Sequence, residues 1–133
     1  MVDSTLDRLL TTLDVALHGF AVCNVDDDTR LVFGPMNMVV IHYVLRGEGL
    51  LETPGSPPLR FAPGHMLVVP PFFRQALSGT APVRRDFDAA EHCAMLVDGL
   101  VKFDASESAD GGAIMTVCST LSATSDAVGG AET

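Results

Sequence analysis

Short apolar runs that alternate with turn residues make up most of the sequence. The strongest is Val39–Leu45, where successive side chains would point to opposite faces of a strand before the glycines at 47 and 49. Shorter runs follow at 59–61, 66–69, 75–77, 83–87, 93–97, 100–103 and 114–118. Glycine, proline, aspartate or serine separates most of them. Many short strands at this spacing are typical of a β-sandwich or β-barrel, so the pattern predicts an all-β domain.

One stretch near the N-terminus has a helical period instead. Between residues 4 and 17, apolar residues recur every three or four positions, at Leu6, Leu9, Leu10, Leu13, Ala16 and Leu17. The spacing predicts one amphipathic helix over 4–17 that ends at His18-Gly19. It would pack across one end of the barrel or form a dimer contact.

The segment from residue 119 has no periodicity, so we expect a domain of residues 1–118 and a flexible or weakly ordered tail, 119–133.

Composition limits the class of protein. A chain of 133 residues with 47% hydrophobic residues suits one globular domain. No apolar run approaches the roughly 18 residues of a membrane span. The acidic N-terminus lacks the basic and apolar blocks of a signal peptide, so we expect a cytoplasmic protein without a membrane partner. Cys23, Cys93 and Cys118 are widely spaced and odd in number, which predicts reduced thiols that are mostly buried.

The charge balance argues against nucleic-acid binding by this chain. Eight basic and 17 acidic residues give a formal net charge of −9. A nucleic-acid-binding surface needs a basic patch to neutralise phosphates, and no such patch is present.

Two motifs resemble those of the cupin superfamily. They are HYVLRGEG at residues 42–49 and APGHMLVVPP at 62–71. The likeness is strongest to the N-terminal effector-binding domain of AraC-type transcription regulators and covers about residues 6–104. It implies a jelly-roll β-barrel that holds a small organic molecule, a homodimer, and an attached helix-turn-helix domain. The residues after 118 leave no room for such a domain, so DNA would be contacted only by a domain outside this sequence.

The positions that usually bind metal in cupins carry other residues here. Counting back from Gly47, the usual glutamate position falls on Val40, and the first two histidines would fall near residues 33–36. The third histidine position falls on Gln75. The resemblance therefore implies no metal and no cofactor, because cupin metalloenzymes need those imidazole and carboxylate groups. On this basis we expect that the chain is not an enzyme.

The resemblance also implies which residues line the barrel. If Val40 points inward, strand alternation turns His42 and Val44 inward too, with Gln75 and Leu77 facing them. This apolar lining with one imidazole and one amide suits a small organic ligand. His42 and Gln75 could instead be hydrogen-bonded core residues.

Phe72-Phe73-Arg74 would lie at the barrel mouth, where the aromatic residues could gate the pocket or pack against the helix. Arg74 and Arg46 are candidate anchors for an anionic ligand such as a carboxylate. The predicted ligand-binding set is therefore His42, Val40, Val44, Gln75, Leu77, Arg74, Phe73 and Arg46.

Three functions fit the predicted fold and ligand-binding residues. The first is the effector-binding and dimerisation domain of an AraC-like regulator, in which a ligand shifts a conformational equilibrium. The second is a small metal-free cupin enzyme of the isomerase or epimerase type, with His42 as the base. Such a base needs an orienting partner, and no carboxylate shares its predicted face. The third is a filled barrel that serves as a scaffold for protein interaction.

Overall fold

The computed structural model describes residues 13–97, 100–107 and 112–125. Within these ranges the chain forms strands and one turn of 3-10 helix, Ala89–Glu91, which confirms the all-β prediction. The strands are β1 (Leu13–Val25), β2 (Thr29–Phe33), β3 (Val39–Arg46), β4 (Gly49–Glu52), β5 (Leu59–Phe61), β6 (Met66–Val69), β7 (Gln75–Ser78), β8 (Arg85–Asp88), β9 (Cys93–Val97), β10 (Leu100–Ala105) and β11 (Ile114–Ser125). No helix in the described ranges has the length and apolarity to cross a bilayer.

The strands form two sheets around one core. The six-stranded sheet has the order β6-β3-β11-β1-β10-β9, and the five-stranded sheet has the order β5-β4-β7-β2-β8. Neighbouring strands are antiparallel except for the pairs β1–β10 and β2–β8, which are parallel. Buried apolar residues of both sheets belong to a single cluster. Two mainly antiparallel sheets that share a core are the architecture of a jelly-roll barrel.

Strand alternation sorts β3 into a buried and an exposed face. Val40, His42 and Val44 are buried, whereas Tyr43 and Leu45 are exposed. This is the alternation that the sequence predicts for residues 39–45. In the facing sheet, Gln75 and Leu77 of β7 are also buried.

The N-terminal helix is not seen. Residues 13–17, the C-terminal part of the predicted helix, form the beginning of β1, and residues 4–12 lie outside the described residues. The backbone from Leu13 to Leu17 pairs with residues 121–125 of β11 in an antiparallel ladder. The register shifts by one residue between Leu17 and Phe20, so a β-bulge lies where we expected the helix to end.

The last strand continues past the predicted end of the domain. β11 runs to Ser125, so residues 119–125 belong to a strand; residues 126–133 lie outside the described residues. Residues 119–121 pair with β3 on one side, and the ladder with β1 on the other side continues to Ser125. This pairing keeps the segment extended although its sequence lacks a strong apolar alternation.

The turn between β3 and β4 requires glycine at position 47. Gly47 has a φ of +89°, and a Cβ atom there would collide with the carbonyl oxygen of Ala113. Gly55, in the loop between β4 and β5, has a similar φ of +80° but no atom within 4 Å of the Cβ position. The two glycines therefore share the same backbone requirement and differ in the space around them.

We predict that Gly47→Ala destabilises the protein more than Gly55→Ala. Both variants carry the left-handed backbone penalty of about 1–2 kcal/mol. Gly47→Ala adds an overpacking cost of about 1–3 kcal/mol. Urea unfolding of the two variants measures this difference, and equal free energies of unfolding would contradict the close approach of Gly47 to Ala113.

Candidate functional site

Three neighbouring strands place a histidine and two cysteines together inside the barrel. Cys23 lies on β1, His42 on β3 and Cys118 on β11, the strand between them. Cys118 is opposite His42 in one strand pair, and Cys23 is opposite Thr116 in the other. All three side chains are buried, and their sulfur and nitrogen atoms lie within 4.8 Å of one another.

Cys118 is the centre of this cluster. Its Sγ lies 2.8 Å from Nδ1 of His42 and 2.7 Å from Sγ of Cys23. Thr116, two residues earlier on the same face of β11, places its hydroxyl oxygen 3.2 Å from the same sulfur. The Cys118 sulfur therefore has three polar neighbours in an otherwise apolar core.

Gln75 holds the histidine from the opposite sheet. Its Oε1 lies 2.6 Å from Nε2 of His42, so the amide oxygen accepts the Nε2–H hydrogen bond. This bond turns the other ring nitrogen, Nδ1, toward Cys118. The amide nitrogen of Gln75 is buried and has no hydrogen-bond partner among the described residues. An unpaired buried donor is costly, and Gln75 borders a groove with Glu52 and Arg74, so a hydrogen-bond acceptor bound in that groove could satisfy it.

The pKa shifts within the cluster have opposite signs. Burial raises the pKa of the Cys23 thiol, and the contact with Cys118 adds to the increase. Burial also acts to raise the pKa of Cys118, but the Cys23 hydrogen bond and the His42 charge outweigh it and hold this pKa well below its usual value. Burial acts to lower the pKa of His42, yet the charge and hydrogen bond of Cys118 leave it raised. The cluster therefore favours a Cys118 thiolate beside a His42 imidazolium, with Cys23 protonated.

A cavity of about 260 Å³ borders this cluster. Its apolar wall includes Phe33, Met36, Val40, Val101 and Phe103, and its polar edge is formed by His42, Cys118, Ser119 and Thr120. None of the described residues that line it is Asp, Glu, Lys or Arg. The Phe33 ring fixes one side, since its centroid lies 5.7 Å from that of His42 and 5.4 Å from that of Phe103.

The five ligand-binding residues predicted inside the barrel divide into two groups. Val40 and His42 line the cavity, and Gln75 is bonded to His42. Val44 and Leu77 are buried in the same core but do not form the cavity wall.

The predicted residues of the barrel mouth lie apart from this cavity. Arg74 borders a separate groove with Arg30, Glu52 and Asp86, and the Arg46 guanidinium donates to the carbonyl oxygen of Gly112 at 3.0 Å. Phe73 is exposed. The structure therefore brings neither arginine to the cavity, and the role of these three residues in ligand binding stays a prediction.

Cys23 and Cys118 were not predicted as site residues. Cys23 and Cys118 are 95 positions apart, and their spacing alone gives no metal-binding or catalytic motif. The available signal was alternation, because Thr116 and Cys118 share a face of their strand. Both cysteines are buried as predicted, whereas Cys93 is exposed.

No protein-family model matches the sequence, and no curated protein matches it. The fold is similar to solved structures at low sequence identity. One is an RmlC-like cupin protein from Desulfovibrio desulfuricans, with a TM-score of 0.46, 12% identity, and coverage of 83% of this chain and 82% of that one.

Two other similar structures are enzymes by their descriptions. Ectoine synthase from P. lautus has a TM-score of 0.46, 14% identity, and coverage of 90% of this chain and 77% of that one. The DMSP lyase DddQ from Ruegeria pomeroyi DSS-3 has a TM-score of 0.40 and 12% identity; 90% of this chain covers 50% of that one. These are similarities of fold at 12–14% sequence identity.

The expectation that the chain is not an enzyme is corrected. It rested on the absence of ligands at the usual cupin positions, and those positions indeed hold Val40, Gln75 and no histidine at 33–36. The structure instead assembles a different group, Cys23, His42 and Cys118, that could hold a metal ion.

We predict that His42 and Gln75 are energetically coupled. Gln75→Leu leaves the buried His42 Nε2–H without an acceptor and should lower the free energy of unfolding by about 1–3 kcal/mol. His42→Phe combined with Gln75→Leu removes both partners, so the double variant should lose less stability than the sum of the two single variants. Urea unfolding of the four proteins gives the coupling energy. Strict additivity would show that the 2.6 Å contact contributes nothing to stability.

Proposed function

We propose that the chain is a small cupin-type enzyme that converts one compact, weakly polar organic molecule in an isomerase- or lyase-type reaction. The observation that carries this proposal is the polar edge of the cavity, where His42 and Cys118 meet an otherwise apolar wall. The reacting end of the bound molecule would lie against this edge, and its apolar part would fill the rest of the cavity.

The size of the cavity limits the type of reaction. A volume of about 260 Å³ is just below the roughly 300–1,000 Å³ of typical ligand pockets. It has room for one small molecule and not for a second substrate or a nucleotide. A reaction that rearranges or divides a single substrate fits this volume better than a transfer between two.

The chemistry of the polar edge suits proton transfer. The Cys118 thiolate would exchange the proton with the substrate, and His42, held by Gln75 at one ring nitrogen and by Cys118 at the other, orients the thiolate and keeps it ionised. The apolar wall lowers the local dielectric constant, so hydrogen bonds to the reacting group become stronger than in water. In an isomerisation, the proton that leaves one atom of the substrate is returned to another, and no external oxidant or reductant is consumed.

The hydrogen-bonded chain Gln75–His42–Cys118 favours an enzyme over a ligand sensor. A sensor could hold the same molecule by shape in an apolar cavity and would not need a buried ionisable pair, which is costly to place in a core. The effector-binding function rests on the sequence resemblance alone. Homodimerisation and a cytoplasmic location likewise stay predictions from the sequence.

We predict that filling the cavity abolishes ligand binding. Ala21 lies at the cavity wall, so Ala21→Leu should remove the space for benzyl alcohol, a neutral probe of suitable size. Benzoate should bind to the wild-type protein at least about 10-fold more weakly, because its carboxylate would lose water in an apolar cavity where the His42 imidazolium is already paired with the Cys118 thiolate. Isothermal titration calorimetry measures both effects. The control is Ala94→Leu, the same substitution at an exposed position; equal binding by the two leucine variants would place the probe elsewhere.

We predict proton exchange at carbon in a bound substrate. Small neutral hydroxy and carbonyl compounds would be incubated with the protein in D2O, and proton NMR would detect deuterium that enters a carbon position. His42→Phe and Cys118→Ala should reduce the exchange rate at least about 100-fold. Cys93→Ala, at an exposed cysteine, should leave it unchanged. Compounds that bind in the cavity without exchange or turnover in the wild-type protein would contradict the enzyme and favour a binding domain.

A further inference from the structure

We propose that Cys23, His42 and Cys118 bind one metal ion of the Zn²⁺ type, with a fourth coordination position open to the cavity. With the ion bound, His42 and Cys118 would be ligands, so proton transfer would pass to a group at the open position. That use in catalysis rests on the proposed function, whereas binding of the ion can be tested without any substrate. The positions are not those at which cupins usually bind metal, because two of the three ligands come from β1 and β11.

The donor set is one that zinc prefers. Two thiolates and one imidazole, with a fourth position left for water or substrate, form a known type of catalytic zinc site. The three donor atoms lie within 4.8 Å of one another. Zn–S and Zn–N bonds of roughly 2.0–2.3 Å set neighbouring ligand atoms about 3.5 Å apart or slightly more. The present contacts of 2.7 and 2.8 Å would therefore open by about 1 Å around an ion, which small side-chain rotations can supply.

The surrounding residues support this assignment. A histidine that binds metal almost always donates its other ring N–H to a fixed acceptor, and Gln75 Oε1 is that acceptor for His42. The Thr116 hydroxyl lies next to the Cys118 sulfur, where it can hydrogen-bond a metal-bound thiolate.

Charge balance and position explain why the ion would face the cavity. Two thiolates neutralise a divalent cation, so the complete unit carries no net charge and suits an apolar core better than an unpaired charge would. His42 and Cys118 belong to the cavity wall, whereas Cys23 does not. The open position therefore points to the side on which a substrate would bind, and an ion there could polarise its oxygen atom.

The test uses the full chain, expressed with zinc and purified under reducing conditions. Elemental analysis should find one zinc ion per chain in the wild-type protein, in Cys93→Ser and in His65→Gln. Cys23→Ser and Cys118→Ser should contain none. Gln75→Leu should keep the site and weaken Zn²⁺ affinity by about 10–100-fold. Cobalt(II) substitution of the wild-type protein should give the visible bands of a tetrahedral site and a thiolate charge-transfer band, and this result does not depend on whether the variants fold.

Three outcomes would overturn the metal site. The first is a reduced, folded wild-type protein that takes up neither zinc nor cobalt. The second is zinc binding that survives in Cys23→Ser and Cys118→Ser but is lost in Cys93→Ser. The third is a cobalt spectrum without the thiolate charge-transfer band. If the metal-free protein catalyses deuterium exchange, the ion has no catalytic role, but the proposed enzyme activity is supported. If the protein binds the ion and catalyses no exchange, the metal site is supported and the proposed enzyme activity is contradicted.

Discussion

The pairing of β11 between β3 and β1 is the interaction on which the rest of the structure depends. It joins the two halves of the six-stranded sheet and places Cys118 between two residues that are 95 and 76 positions away in the sequence. Side chains alternate along a strand, so a slip of one residue would turn Cys118 away from the cavity. The register of this one strand therefore determines both the closure of the core and the existence of the polar cluster.

The fold was predictable where the decisive pattern is local. Alternation within residues 39–45 placed Val40, His42 and Val44 on one face of β3, and the motif resemblance implied that this face points inward, where it is buried. The N-terminal leucines show the limit of such patterns. Their spacing fits a helix, yet Leu13–Leu17 pair with residues at the other end of the chain, and this long-range pairing leaves no mark on the local period. The same pairing explains why residues 119–125, which have little periodicity, are extended.

The candidate site was predictable in part. His42 and Gln75 were found because they belong to recognisable motifs on facing strands, and the structure joins them by a hydrogen bond. Cys23 and Cys118 were missed as partners because only the three-dimensional strand order brings β1 and β11 beside β3. Arg46 is the last residue of β3 and Arg74 precedes β7, so strand alternation does not fix the direction of these side chains, and their role in ligand binding stays a prediction.

The residues around the cavity come from strands and from a connection between strands, and this difference determines which parts of the cavity can change by mutation. The reactive groups Cys23, His42, Gln75 and Cys118 all lie on strands, whereas Met36, on the cavity wall, lies in the connection between β2 and β3. Substitutions or length changes in that connection can reshape the cavity while the sheet holds the polar cluster in place. Directed evolution of residues 34–38 would therefore be expected to change which molecules fit the cavity before it changes the chemistry of its polar edge.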